Sequence, residues 1–324
     1  MSMNRRSFAL SSAAMTAALA LPAAAQLQRT TRLIVGFPPG GAADVLARAL
    51  LEPMKTSLGV PLIVENRPGA GGRIAVDVVG HAPADGSVLL VSPGSVLTLA
   101  PHLYKSVRYD LARDFMPIAP IARLDLGVYA GPGTPENLRT LPEVVKWLKS
   151  EPSKRSCGIT GLGSTPHLAA LLLGRASGAE WQTVPYQGDA PAFIALLGGE
   201  IPVCVASLAG GMEHVRAGKL RLLALTGNER STFMPDVPTL TQIGYDVVVA
   251  DRHSLFAPRQ TSAAAVASIR AALEQALGSP GVGAVLERMS LQRASAVADF
   301  PAQLRTESES WEKAVKAFNI TLEG

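Results

Sequence analysis

Residues 31–37 (T-R-L-I-V-G-F) form a short, mostly apolar run that stops at Pro38-Pro39-Gly40-Gly41. That is the pattern of a buried strand ending in a turn. Val45, Leu46, Ala49, Leu50 and Met54 then recur at helical spacing, which predicts a helix over 42–58. Residues 61–65 predict the next strand, Asn66-Arg67-Pro68-Gly69-Ala70-Gly71-Gly72 a turn-rich loop, 74–81 a short helix and 88–91 a third strand. Strands separated by helices need crossover connections, so this order predicts a parallel sheet with right-handed crossovers.

The rhythm restarts downstream. Strands are predicted over 156–160, 182–185, 201–207 and 220–226, with helices over 165–177 and 189–197. The last part is different: one strand, 254–257, and helices over 262–277, 282–289 and 300–318. Such a tail has too few strands for a sheet of its own, and the economical solution returns it to the first block. The expected fold is α/β, with two doubly wound domains joined by two crossings near 122–129 and 245–255. Residues 26–124 with 250–324 form the first domain, and 125–249 the second. A ligand would occupy the cleft where the C-terminal ends of both sheets meet.

The first twenty-five residues read as an address. Asn4-Arg5-Arg6-Ser7-Phe8 is basic, residues 9–21 are apolar and small, and Ala23-Ala24-Ala25 fits a cleavage site. Twin-arginine and general secretion both remain open. The apolar run is shorter than the roughly 20 residues of a membrane span, so no membrane insertion is expected. Removing the leader's two arginines leaves 28 basic against 26 acidic residues, net +2. With no Lys/Arg cluster and few aromatics, nucleic-acid binding is disfavoured. Cys157 and Cys204 both sit in apolar runs. Export permits a disulfide between them, and burial as free thiols is the alternative. No histidine stands near either at ligand spacing, so neither a metal nor a cofactor is expected.

Two glycine-rich turns carry the candidate chemistry. Gly40-Gly41 lies between the first strand and first helix, where unpaired N–H groups and the helix dipole suit an anion. Asp44 falls in the first helical turn, as a cap or as a dipole complement. Gly40-Gly41 as a plain tight turn is the other reading. In the second block Gly161-Leu162-Gly163-Ser164-Thr165-Pro166 leads into a helix, with Thr165 suited to its N-cap and Pro166 to its first position. His167 lies in that first turn, facing a ligand or merely half-buried. Two such helix starts across a cleft would suit a small molecule with an anionic group. G-x-S-x-G, H-E-x-x-H and the P-loop are all absent, and the 5 histidines are scattered, so nothing local supports catalysis.

Several segments carry a family resemblance. They are Arg32–Val35 with Phe37-Pro38-Pro39-Gly40-Gly41 and Asp44, Val64-Glu65-Asn66-Arg67-Pro68-Gly69-Ala70-Gly71-Gly72, and Ala82-Pro83-Ala84-Asp85-Gly86. Tyr109-Asp110 with Arg113-Asp114-Phe115, Val184-Pro185-Tyr186 with Gly188, Ala217-Gly218-Lys219-Leu220-Arg221 and Pro235-Asp236-Val237-Pro238-Thr239 continue the series in order. Together they resemble the TctC-like, Bug-type extracytoplasmic receptors of tripartite tricarboxylate transporters. The resemblance implies a type II periplasmic binding-protein fold and a cleft that closes on a small carboxylate: a di- or tricarboxylate, an acidic amino acid or an aromatic acid. It also implies delivery to a membrane permease, no catalysis and a periplasmic, monomeric protein. Carried over by position, the first-domain contacts are Phe37, Pro39, Gly40, Gly41, Ala42 and Asp44. The second domain supplies Gly163, Ser164, Thr165 and His167, with Ser92, Tyr186, Gly188 and Ser207 as further candidates.

The chain departs from the family pattern at Ala206, where an acid is common, at Gln187, where a lysine is common, and at Asp251-Arg252-His253-Ser254, where a tryptophan-containing stretch is usual. Arg252 or His253 entering the cleft would add a cation there and favour a more anionic ligand, and an Arg252–Asp251 surface pair is the alternative. Two other functions remain open: a ligand-sensing receptor for a signalling system, and an exported enzyme whose site is assembled only in space.

Overall fold

The computed structural model of the chain describes residues 30–322, and the leader proposed over 1–25 lies outside them. Sheet 1 contains β1 (Thr31–Val35), β2 (Leu62–Asn66), β3 (Val88–Pro93), β4 (Phe115–Leu124) and β10 (Asp251–Pro258), in the order β2-β1-β3-β10-β4. Sheet 2 contains β5 (Leu126–Ala130), β6 (Ser156–Ile159), β7 (Gln182–Pro185), β8 (Val203–Ser207) and β9 (Arg221–Leu225), in the order β7-β6-β8-β5-β9. The helices of the first half are α1 (Ala42–Leu58), α2 (Arg73–Gly80), α3 (Ser95–Thr98), α4 (Ala100–Leu103) and α5 (Leu111–Asp114). Sheet 2 carries α6 (Leu141–Ser150), α7 (Thr165–Ser177), α8 (Asp189–Leu197) and α9 (Leu208–Arg216). The tail adds α10 (Ala263–Leu277), α11 (Pro280–Arg288) and α12 (Phe300–Ala317).

Both sheets are mixed rather than purely parallel. β1 runs parallel to β2 and β3, but β10 runs antiparallel to β3 and β4. In sheet 2, β6 is parallel to β7 and β8, while β5 is antiparallel to β8 and β9. The odd strand in each sheet is the one that enters from a crossing. Such a strand starts at the edge where its parallel neighbours end, so its direction is reversed. β4 escaped sequence reading because it holds Pro117 and Pro120, which cannot donate to a ladder. It tolerates them at the end of the sheet order, with only β10 beside it.

Each sheet is covered on both faces. α1, α10 and α11 pack on one face of sheet 1 through Leu46, Leu50, Met54, Leu273 and Leu286. α2 and the start of α12 cover the other through Val76, Val79, Phe300 and Leu304. α12 then runs on to the second core, where Trp311 and Val315 pack with Leu141, Leu148, Leu168 and Leu173. One helix therefore spans both halves. Cys157 faces this core, whereas Cys204 lies in the cluster on the opposite face of sheet 2. Both are buried free thiols, which removes the disulfide alternative.

The chain crosses between sheets twice, each time through a single residue. Asp125 separates β4 from β5, and Ala250 separates the segment bonded to β9 from β10. Val249 N–H donates to Thr226 O at 2.8 Å just before that second crossing. The crossings lie side by side, since Asp251 pairs with Leu124 in the ladder. Arg123 holds Asp125 at 2.8 Å and Glu229 at 3.0 Å, tying the first crossing to the loop after β9.

Candidate ligand site

The register shows which edges face the crossings. His253, near the start of β10, pairs with Pro93 at the end of β3, and Leu126, at the start of β5, pairs with Ser207 at the end of β8. The C-terminal ends of β1, β2 and β3 therefore meet those of β6, β7 and β8 across the crossings. The loops after β1 and β6 sit on these facing edges, which is where an α/β sheet presents ligand groups.

The loop after β1 is built to hold its own shape. The Asp44 carboxylate accepts from Gly40 N–H at 2.9 Å, from the Asn66 amide at 2.9 Å and from Arg48 Nε at 2.9 Å. Burial by itself would raise the Asp44 pKa. The bonds from Arg48, Gly40 and Asn66 outweigh it and hold the carboxyl below the ordinary aspartate value. Gly41 N–H donates to Pro38 O at 3.2 Å. The N–H groups of Gly40 and Gly41 are thus already spent within the loop. The anion donors on offer are those every helix start leaves over, here at Ala42 and Ala43 in the first turn of α1. Phe37 is half-buried, Pro38, Pro39 and Gly40 are exposed, and Asp44 is buried. Asp44 therefore shapes the site rather than presenting a free charge. Gly36 explains how the loop lies flat: a Cβ there would fall 2.7 Å from the Gly72 backbone, so the β1 and β2 loops touch without side chains between them.

The loop after β6 follows the same logic, shifted by one residue from the sequence reading. Ser164, not Thr165, is the N-cap of α7: its hydroxyl accepts from His167 N–H at 3.4 Å and donates to Gly161 O at 2.7 Å. Thr165 and Pro166 form the first helical turn. His167 Nδ1 accepts from Gly163 N–H at 3.1 Å, which fixes the neutral imidazole, and burial lowers its pKa. Gly163 adopts φ +69, a left-handed conformation, and a Cβ there would strike Leu322, Tyr104 and Leu103.

The further candidates sit at strand ends and helix starts, with internal partners of their own. Ser92 is 2% exposed, and its hydroxyl donates to Pro93 O. Gly188, with φ +103, is the N-cap position of α8, and Tyr186 N–H donates to Ile159 O at 2.8 Å. Ser207 caps α9, accepting from Gly210 N–H at 3.0 Å and donating to the Asp189 carboxylate. Among the described residues no group of His, Cys, Asp and Glu is arranged to hold a metal ion. No helix of the described residues is long and apolar enough to cross a membrane.

A family model described as "Tripartite tricarboxylate transporter family receptor" matches residues 46–320. The chain belongs to this receptor family. Protein BugT of Bordetella pertussis is 34% identical over 294 residues, covering 90% of this chain and 89% of BugT. Among solved structures, that of Rpa4515 of R. palustris with adipate superposes with a TM-score of 0.79 at 28% identity, covering 91% of this chain and 99% of the other. MatC of Rhodopseudomonas palustris with bound malate gives a TM-score of 0.72 at 28% identity, covering 89% and 99%. The family and the fold are those of solute-binding receptors, and the neighbours' fold is the two-domain periplasmic binding-protein arrangement.

Arg252 pairs with a carboxylate of α12. Its Nη1 lies 2.7 Å from Glu307 Oε1 on α12, an ion pair without aligned hydrogen-bond geometry. The expected surface pair with Asp251 is not formed. Asp251 is buried and spends one carboxylate oxygen on the N–H groups of Ser95 and Arg252. Burial raises the pKa of both Asp251 and Glu307, with Arg252 opposing the shift in each. Sequence reasoning missed three groups. Asn66 ties the β2 end to Asp44, Asp189 anchors Ser207, and Tyr104 Oη donates to Leu162 O across the interdomain seam at 3.2 Å. Asp189 carried a usable signal, an acid directly after a glycine at a helix start. Tyr104 carried none.

Proposed function

We propose that this protein captures a small carboxylate between its two domains and hands it to the membrane permease of a tripartite tricarboxylate transporter. The observation that carries the reading is the pair of helix starts, α1 and α7, brought to facing sheet edges. Their loop N–H groups at Gly40, Gly41 and Gly163 are internally bonded, so the loops are formed before a ligand arrives. The remaining first-turn donors and both helix dipoles then favour one anionic group, each dipole contributing about 0.3–1 kcal/mol or more in a sheltered site. Bonds to backbone rather than to a charged side chain explain how the grip needs no lysine at position 187. The structures of receptors with adipate and malate support the carboxylate class.

In this reading residues 26–124 with 250–324 close on residues 125–249 through the crossings at Asp125 and Ala250. Phe37 packs against the ligand, and Thr165 lines the opposite wall. Residues 1–25 direct export to the periplasm, where the monomer works without a cofactor and without catalysis. A thermal-shift panel of mono-, di- and tricarboxylates, acidic amino acids and aromatic acids, each beside its amide, tests this. A rise in Tm with an acid and none with its amide is expected. Equal shifts for acid and amide, or turnover of any acid, would sink the reading.

A further inference from the structure

Arg73 opens α2 directly after the 69–72 loop. That loop flanks the first binding loop, since a Cβ on Gly72 would lie 3.3 Å from the Phe37 ring. The Arg73 guanidinium carbon sits 3.6 Å from the centroid of the Tyr104 ring. Tyr104 in turn reaches the second domain: its hydroxyl bonds Leu162 O at 3.2 Å and lies 2.9 Å from where a Gly163 Cβ would be. One aromatic ring therefore separates Arg73 from the loop that carries Ser164 and Thr165. Arg73 is half-buried, yet among the described residues it forms no ion pair, whereas the nearby Arg32, Arg48 and Arg67 all have carboxylates. A guanidinium stacked face-on keeps its N–H fork at its edge, where it matches a carboxylate in bidentate fashion.

We propose that Arg73, stacked on Tyr104 at the interdomain seam, binds a second acid group of the ligand and so selects diacids over monoacids. The inference rests on the carboxylate reading above. One acid group meets the starts of α1 and α7. The rest of the molecule runs along the seam and places its far carboxylate on the Arg73 fork. The fork rests on the Tyr104 ring itself, and the Leu162 bond of the Tyr104 hydroxyl is a separate contact to the second-domain loop. A ligand with a methyl in place of the far acid leaves the cation without its counter-charge.

The test uses the purified chain, unfolded and refolded to strip carried-over ligand, with calorimetric titration of two matched pairs. These are adipate against hexanoate and malate against 2-hydroxybutyrate. The wild type is expected to hold at least one diacid more tightly than its monoacid partner. Arg73→Gln should weaken that diacid about tenfold or more and leave the monoacid within about twofold, and Arg73→Lys should recover part of the loss. Tyr104→Phe keeps the ring under Arg73 and removes the Leu162 bond, so it should weaken both members of a pair by the same factor. If Arg73→Gln weakens both members equally, Arg73 is only a clasp between domains and the proposal falls. It falls equally if diacid affinity is unchanged, or if the wild type does not prefer the diacid in either pair. A wild type that binds none of the four acids overturns this inference, while the carboxylate reading is decided separately by the wider panel of acids and amides.

Discussion

Asp44 shows how a charged residue can be spent on holding a loop in shape. Its carboxylate gathers Gly40 N–H, the Asn66 amide and Arg48 Nε, so it fixes the loop after β1 and staples that loop to the end of β2. Asp44→Ala takes the acceptor from Gly40 N–H and one of the two acceptors from the Asn66 amide, which keeps Phe37 O, at a cost of about 1–2 kcal/mol. Denaturant unfolding should show that loss, and titration should show weaker binding of any acid the wild type retains. Asp44→Asn keeps one acceptor and is expected to lose less on both counts. Because the folded pKa is depressed, the stability Asp44 contributes is present above the ordinary aspartate value of 3.8 and is lost as pH falls below it. An Asp44→Asn variant should therefore show a shallower acid limb. An unchanged limb would mean that Arg48 and Asn66 do not hold the ionised form.

At the scale of elements, periodicity identified most helices because apolar spacing states a helix directly. The limits predicted for α1, α7 and α8 coincide with those observed. The tail's return to sheet 1 also follows from a count of available strands. What local pattern could not show is a strand whose residues argue against it, such as proline-bearing β4, and a strand whose direction is set by where it enters, such as β10 and β5. The site was legible as loops and not as contacts. Glycines, caps and turns announce a helix start. Whether Gly40 N–H is free depends on Asp44 folding back on it, which spacing alone leaves open. Arg252 is the clearest case, since its partner Glu307 is 55 residues away on a helix that spans both domains. Arg252→Gln should leave carboxylate affinity unchanged. It should also lower stability by about 1–3 kcal/mol, because Glu307 stays largely buried without its cation. Reduced affinity at unchanged stability would return Arg252 to the ligand.

At the scale of the whole molecule, the two crossings run side by side as a seam between the sheets, and His253 lies within it. It is 3% exposed, pairs in the ladder with Ala122 and Pro93, and neither ring nitrogen has a hydrogen-bond partner among the described residues. Burial lowers its pKa from 6.5 to about 4, so the native seam holds a neutral ring. The unfolded chain takes up a proton near pH 6.5 that the native state refuses until about pH 4. Stability is therefore lost as pH falls through that window, by about 3 kcal/mol, since each tenfold loss of proton affinity on folding costs roughly 1.4 kcal/mol. Asp251 and Glu307, in the same region, have raised pKa values and work in the opposite sense, gaining native stability as they take up protons. His253→Leu removes only the first contribution. Urea unfolding between pH 7 and pH 4 should show the wild type losing stability more steeply than the variant, with the two curves converging in shape above pH 7. Parallel curves across the whole range would show that the seam already accommodates a charged imidazole. A steeper wild-type curve would mean that acid loosens the protein where the chain crosses between its two sheets.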